Sequence, residues 1–322
     1  MDKHIDVTVF MTTYNSPIDK ILLALSSVLL QKNVTYEILI GDDGSEVSPK
    51  KAIEKFFKKN DFYNYKIYEN EKNCGTVKNL CQLLHNANGE YARGVGVGDF
   101  FYDEYSLFKF VQFAKKNNAD IMFCDVTYYS VKNNKVILHD VTNQPNVLKI
   151  YESKNLYPKR INYILFGDRI CGPAFFHKTD LFCNYLDKIV DKIIYEEDYI
   201  FFFLLADGID FLYYPETLIC YEYGTGISTS SNKYWEEKLA ADDRSGELIL
   251  KERYESKDKF WHMYWDIYNI RHTTTNGLYK KLKILIKYPS LLYWYIYRKI
   301  YKCRVKQKFN MSFWNKINMR DD

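Results

Sequence analysis

No two of the seven cysteines (74, 81, 124, 171, 183, 220 and 303) are spaced as Cys-x-x-Cys. Their odd number and their scatter among apolar residues argue against a disulfide framework and for reduced, buried thiols in a cytoplasmic protein. No basic-then-apolar leader precedes the first strand-like run, Val7 to Met11, so export is not expected. No stretch reaches the roughly 18 uninterrupted apolar residues of a spanning helix. The nearest candidate, Leu291 to Tyr297, is short and flanked by Lys and Arg, so any membrane contact is expected to be peripheral. None of the six histidines pairs with another at metal-ligand spacing, and Gly-x-Ser-x-Gly and Walker runs are missing. There are no internal repeats.

What is present is an ordinary globular composition of 47% hydrophobic and 27% charged residues, in a chain of 322 residues. That length suits one large core plus an appendage. The net charge of +4 hides an asymmetry: from Lys251 onward there are 17 Lys and Arg against 6 Asp and Glu, a net +11, which leaves residues 1–250 at −7. A basic tail on an acidic body suits a membrane surface, a nucleic acid or an acidic partner, and sign alone does not choose.

The chain alternates strands and helices. Ile5 to Met11 is β-branched and apolar and breaks at Tyr14-Asn-Ser-Pro17. Ile21, Leu22, Leu25, Val28 and Leu29 then recur at helical spacing, and Tyr36 to Gly41 is a second apolar run stopped by Asp42-Asp-Gly-Ser45. Further helices are expected over 49–59, 76–87 and 105–116, and strands over 65–68, 90–97 and 121–126. Residues 127–170 suggest a hairpin, 178–205 are mostly helical, and strands follow at 211–214 and 219–223. Residues 232–302 read as helical with breaks at 273–277 and Pro289. This is a doubly wound α/β pattern with a mostly parallel sheet flanked by helices, whose ligands sit beyond the carboxyl ends of the strands.

That rule directs attention to two strand ends. Thr12, Thr13, Tyr14 and Asn15 offer hydroxyls, an amide and an aromatic face suited to a nucleobase and ribose. Asp42 and Asp43 offer carboxylates, and Gly44 allows close backbone approach. Taken alone, Asp42 to Ser45 is also the composition of a turn with Asp capping the next helix. Gly94-x-Gly-x-Gly98 is not a dinucleotide fingerprint, because Phe-Phe-Tyr follows where a helix should begin.

Four motifs in order, Thr13-Tyr-Asn15, Glu37 to Ser45, Asn73-x-Gly75 and Asn88-Gly-Glu-Tyr91, resemble those of inverting family 2 glycosyltransferases of the bacterial surface-polysaccharide type. The resemblance covers roughly residues 5–230. It implies a GT-A nucleotide-diphospho-sugar transferase fold over 1–231, with 232–322 as a basic, aromatic-rich helical extension. It also implies a donor-binding set of Thr12, Thr13, Tyr14, Asn15, Asp42, Asp43, Asn73, Gly75, Gly98, Gly226 and Ser228. Where the family usually has Asp-x-Asp for Mn²⁺ or Mg²⁺, this chain reads Gly96-Val-Gly-Asp99, which leaves Asp99 as the metal ligand. Magnesium held by one carboxylate, phosphates and water accommodates that. Glu196-Glu-Asp198 sits where the family carries its base, with Asp198 the first choice and Glu197 the second for deprotonating the acceptor hydroxyl. Taken alone, the same acids also suit a helix start.

The expected partners are a nucleotide-diphospho-sugar donor, UDP-linked by preference, and a glycan or lipid-linked acceptor. A location at the inner face of the cytoplasmic membrane follows from such an acceptor. Phe260-Trp-His-Met-Tyr-Trp265 and Leu278 to Arg304 mix aromatics with cations, which suits an interfacial helix or packing on the core. No nucleic-acid fold accompanies the charge, so nucleic acid is not expected as a partner. The rival readings are a catalytically lapsed assembly subunit and a nucleotidyltransferase. The latter usually needs a glycine-rich loop with Arg or Lys after strand one, where this chain has Tyr14 to Pro17.

Overall fold

A computed structural model describes residues 4–140, 145–226, 233–303 and 306–318. Strands β1 (Val7–Thr13), β2 (Tyr36–Asp42), β3 (Tyr65–Glu69) and β4 (Tyr91–Gly94) lie in the order β3-β2-β1-β4 and run parallel. Helices α1 (Ile18–Leu29), α2 (Lys50–Lys59) and α3 (Thr76–Leu84) make the crossovers. Every residue of β2 from Glu37 to Asp42 is buried, which explains its unbroken apolar run, since helices cover both faces of such a sheet. Burying side chains such as Ile38, Leu39 and Ile40 stabilises the fold by roughly 1.5–3 kcal/mol each.

Beyond β4 the sheet is mixed. It continues β4-β8-β6-β9-β5, with β5 (Phe100–Phe101), β6 (Ile121–Lys132), β8 (Phe175–Lys178) and β9 (Leu212–Glu222). β8 runs antiparallel to both neighbours, β6 and β9 are parallel, and β5 is antiparallel to β9. The hairpin expected after residue 126 exists: β6 extends to Lys132 and turns through Asn133 and Asn134, at φ 52° and 57°, into β7 (Lys135–Leu138). Asparagine tolerates the left-handed backbone that two-residue hairpin loops require.

The two short strands expected at 211–214 and 219–223 are one. Pro215 interrupts the sequence pattern, but the register against β6 shifts at Asp125, and a bulge there absorbs the proline.

The C-terminal region forms α8 (Lys233–Tyr254), α9 (Lys259–Thr273), α10 (Gly277–Lys287), α11 (Leu291–Ile300) and α12 (Met311–Asn318). The breaks at 273–277 and Pro289 fall where the sequence indicates. α12 has no counterpart in the sequence reading, which ends at Lys302. Ile249, Leu250, Phe260, Trp261, Met263 and Trp265 are buried in the same core as the sheet. Packing therefore accounts for the aromatic stretch 260–265, because rings in the core cannot face lipid. Among the described residues no helix is long and apolar enough to cross a membrane.

Candidate active site

The rim at the ends of β1 and β2 is tied together by its own carboxylates. Thr13 faces Asp42 in the parallel register and donates its hydroxyl to Asp42 Oδ1 at 2.9 Å. Ser45 closes the following turn, its Oγ donating to Asp42 Oδ1 at 2.6 Å and its N–H to Oδ2 at 3.0 Å. Asp42 thus does cap the turn, as the local composition allows, and one of its four lone-pair positions stays free. Asp43 is engaged throughout. Its Oδ1 accepts from Asn70 Nδ2 (3.0 Å), Cys74 N (2.9 Å) and Cys74 Sγ (3.0 Å), and its Oδ2 accepts from Gly75 N (2.9 Å). The carboxylate organises the 70–75 loop, and Asn73 adds a contact from its Oδ1 to Gly75 N at 3.2 Å.

Asn15, at φ 48°, bridges the two rim loops: its N–H donates to Ser45 Oγ and its Oδ1 accepts from Glu46 N. Tyr14 is exposed on this rim and Thr12 half-buried. Gly75 has φ 91°, and a Cβ there would lie 2.4 Å from Ile194 Cγ2, so only glycine permits this approach.

Asp99 is buried just before β5. Its Oδ1 accepts from Glu222 N at 2.9 Å. Burial pushes its carboxyl up to about 7, against the pull of that N–H and of the buried Arg93 guanidinium. Glu222, on β9, was not singled out from the sequence because it lies 123 residues away. Its side chain crowds Gly98, where a Cβ would sit 2.2 Å from Oε2 and φ is 88°. Both Glu222 oxygens accept from Lys20 Nζ at 2.7 Å. Arg93, also unmarked in the sequence reading, donates to the Pro173 carbonyl and lies over the Phe110 and Phe101 rings. Two carboxylates are therefore balanced by two cations. This donor set fits a divalent ion that brings most of its ligands as phosphate and water oxygens, with Asp99 the protein ligand, and not a closed protein cage. Asp103, farther along, is committed to Lys109 at 2.9 Å.

Glu196, Glu197 and Asp198 lead into a 3₁₀ turn (Glu197–Tyr199) ahead of α7 (Ile200–Asp207), which is buried on all sides from Ile200 to Ala206 and anchors the turn in the core. Burial raises the Glu197 and Asp198 carboxyls, and Asp198 adds like-charge repulsion at Glu197, while Arg169 pulls Asp198 down. Glu196 is pushed up to about 7 by burial and by Asp243. Arg169 Nη1 contacts Glu196 Oε1 at 3.1 Å with its guanidinium over Phe202. Asp198 closes on Gly172, where a Cβ would lie 2.4 Å from either carboxylate oxygen. From α8, Asp242 accepts from Ile194 N (3.0 Å), Tyr195 N (2.6 Å) and Glu196 N (3.0 Å).

These parts meet. Val77 N donates to Ile194 O at 3.0 Å, which joins the loop held by Asp43 to the segment leading into Asp198. Cys171 feels burial first, then the charges of both Asp198 and Asp99, which puts the two carboxylates on one rim. Gly226 lies in the turn after β9, and Ser228 falls outside the described residues. His177 packs in the core against Phe182, and burial holds its imidazole down to about 3. Cys81, His85 and Asp187 bring ligand atoms within 4.8 Å of one another, but His85 follows the last turn of α3, at the opposite end of that helix from Gly75.

Residues 8–181, more than half of the chain, match the profile described as Glycosyl transferase family 2. The chain belongs to glycosyl transferase family 2. This glycosyltransferase has a GT-A fold, and its neighbours among solved structures are forms of S. aureus TarS. TarS 1–349 in complex with UDP-GlcNAc aligns at TM-score 0.50 and 16% identity, covering 83% of this chain and 80% of that one. The complex with UDP gives 0.47 and 15%, over 81% and 78%. The longer TarS structure gives 0.48 and 16%, and there the alignment covers 80% of this chain but 44% of that chain. At such identity the likeness speaks to the fold. No curated protein matches the sequence.

Proposed function

We propose that this glycosyltransferase moves a sugar from a UDP-sugar to a hydroxyl of a glycan or lipid-linked acceptor, with inversion, in bacterial surface-polysaccharide assembly at the inner face of the cytoplasmic membrane. One observation carries the reading: the loop organised by Asp43 and the turn bearing Asp198 are hydrogen-bonded to each other through Val77 and Ile194. A donor held at the first is thereby presented to a base at the second. Tyr14 offers its exposed ring to the base, and Thr12, Thr13, Asn15, Asn73 and Gly75 complete the nucleotide end. Asp42, with one acceptor position left, is the better carboxylate for a base N–H, and Asp43 acts by shaping the loop.

Asp198 takes the proton from the acceptor hydroxyl as its oxygen attacks the anomeric carbon and the diphosphate departs from the opposite face. A carboxyl raised by burial suits a base working near neutral pH. Glu197 is the second choice for that role. Mn²⁺ or Mg²⁺ at Asp99 would neutralise the leaving diphosphate, and Gly98 and Gly226 give the donor room.

The S. aureus TarS complex with UDP-GlcNAc names the donor to try first. Diphosphate release from a panel of sugar nucleotides, with Asp198→Asn and Asp43→Ala alongside, tests the reading. Wild-type transfer by Asp198→Asn sinks the base assignment. Gly96 and Gly98 in place of carboxylates favour a second reading, an assembly subunit without catalysis. Calorimetric absence of any nucleotide binding would support it.

A further inference from the structure

The strand of charge and apolar surface left over by the catalytic reading lies on α10 and α11. Residues 277–303 contain seven Lys and Arg and no Asp or Glu. Each helix uses one side to dock. On α10, Ile284 is buried, Lys287 pairs with Asp266 of α9 at 2.6 Å and Tyr288 donates to the same carboxylate. On α11, Leu291 is buried, Tyr295 packs edge-on against Phe166, and Arg298 lies over Phe166 and pairs with Asp168 at 3.8 Å.

The opposite side of each helix is apolar and exposed. At roughly 100° per residue, Leu282 and Ile286 point away from Ile284, as Tyr293, Ile296 and Ile300 point away from Leu291. These residues, with Leu278, are 50–81% exposed. Lys281, Lys283 and Lys299 are exposed beside the two stripes, where their stems can lie along apolar surface and their heads reach outward.

We propose that the outer faces of α10 and α11 form a docking surface for an anionic lipid bilayer. Charge complementarity chooses the occupant. A second copy of this chain would bring seven cations against seven, whereas an anionic bilayer offers negative headgroups above an apolar layer, the order in which these side chains are arranged. The docking also has a direction. α11 is seated on Phe166 and Asp168, next in the chain to Arg169, which holds Glu196 of the base-bearing turn. Membrane contact here brings the acceptor side of the site toward lipid. The purpose of the surface rests on the proposed lipid-linked acceptor, but its existence does not.

The test is co-sedimentation of the full chain with vesicles of phosphatidylcholine, alone or mixed with phosphatidylglycerol, in parallel with calorimetric UDP binding. The expected result is binding to the mixed vesicles, weakened by salt. Two double variants, Leu282→Asp with Ile286→Asp and Tyr293→Asp with Ile296→Asp, are each expected to bind about tenfold or more weakly. Their UDP affinity is expected to stay unchanged, which shows they are folded. Absence of vesicle binding by wild type, equal binding to both vesicle types, or wild-type binding by both double variants overturns the proposal. So does a wild-type dimer that these substitutions disperse, which would give the face to a second copy. Vesicle binding without any UDP binding would instead count against the functional reading and leave the surface standing.

Discussion

Asp242 of α8 and Tyr195 of the base-bearing segment are joined by a 2.6 Å hydrogen bond from the tyrosine N–H to Asp242 Oδ2, and the same carboxylate also receives the N–H groups of Ile194 and Glu196. A residue outside the span matched to the family thus holds the segment that carries Asp198. Asp242→Ala leaves three backbone donors without this partner, so a loss of about 2–4 kcal/mol of stability is expected in thermal or denaturant unfolding. Below the melting range, kcat is expected to fall at least about tenfold with a smaller change in KM for the donor. Asp242→Asn, which can still accept but carries no charge, is expected to recover part of the kcat. A variant that loses stability but keeps wild-type kcat would show that Asp242 only braces the fold.

The acid limb of the rate reports the base. Burial raises the folded-state Asp198 carboxyl above the ordinary carboxylate range, and only its ionised form accepts a proton, so transfer is expected to fall as pH drops through that raised value. Arg169 opposes the rise. Arg169→Met is expected to move the limb further upward by about one pH unit. A limb that stays put, or moves down, removes Arg169 from the electrostatics of the base.

Asp99 makes a stability prediction in metal-free protein. Its folded carboxyl, pushed up to about 7, binds a proton more tightly than the unfolded one at 3.8. Its contribution to stability is therefore full below about pH 4 and is lost as pH rises through 7. Asp99→Asn removes that loss and keeps an acceptor for Glu222 N. Melting of both proteins at pH 5 and pH 8 in EDTA is expected to show the Asn variant gaining on wild type at the higher pH. A gap that is constant, or closes toward pH 8, means Asp99 is ionised throughout.

Metal removal is expected to have a modest effect on nucleotide binding. Lys20 and Arg93 already balance Glu222 and Asp99, so the protein does not depend on a cation for its own charge. Calorimetric UDP affinity is expected to differ by less than about tenfold between EDTA and Mn²⁺. A loss beyond about a hundredfold would indicate a ligand set larger than Asp99.

Local pattern sufficed wherever one element decides its own form. The unbroken apolar run of β2, the helical spacing in α1, the Asn-Asn hairpin and the break at Pro289 are each written in a few adjacent residues, because burial period and backbone preference act over one or two turns. The order of four short motifs was likewise enough to indicate the family, since each follows a strand end.

What the sequence could not decide is where distant charges meet. Pro215 read as the end of a strand, because only the facing register of β6 shows the bulge that accommodates it. Glu222 and Lys20 are 202 residues apart, yet they complete the surroundings of Asp99. Asp242 and Arg169 shape the turn around Asp198 from separate elements. Asp42 and Asp43 stood out as ligand-binding carboxylates from their position alone, but the fold divides their work: Asp43 is consumed by the 70–75 loop and Asp42 keeps an acceptor position. Pairing of charges and satisfaction of buried hydrogen bonds depend on through-space distance, which one-dimensional spacing does not encode, so the sequence determined the scaffold and the family while the tertiary structure decided the electrostatics of the site.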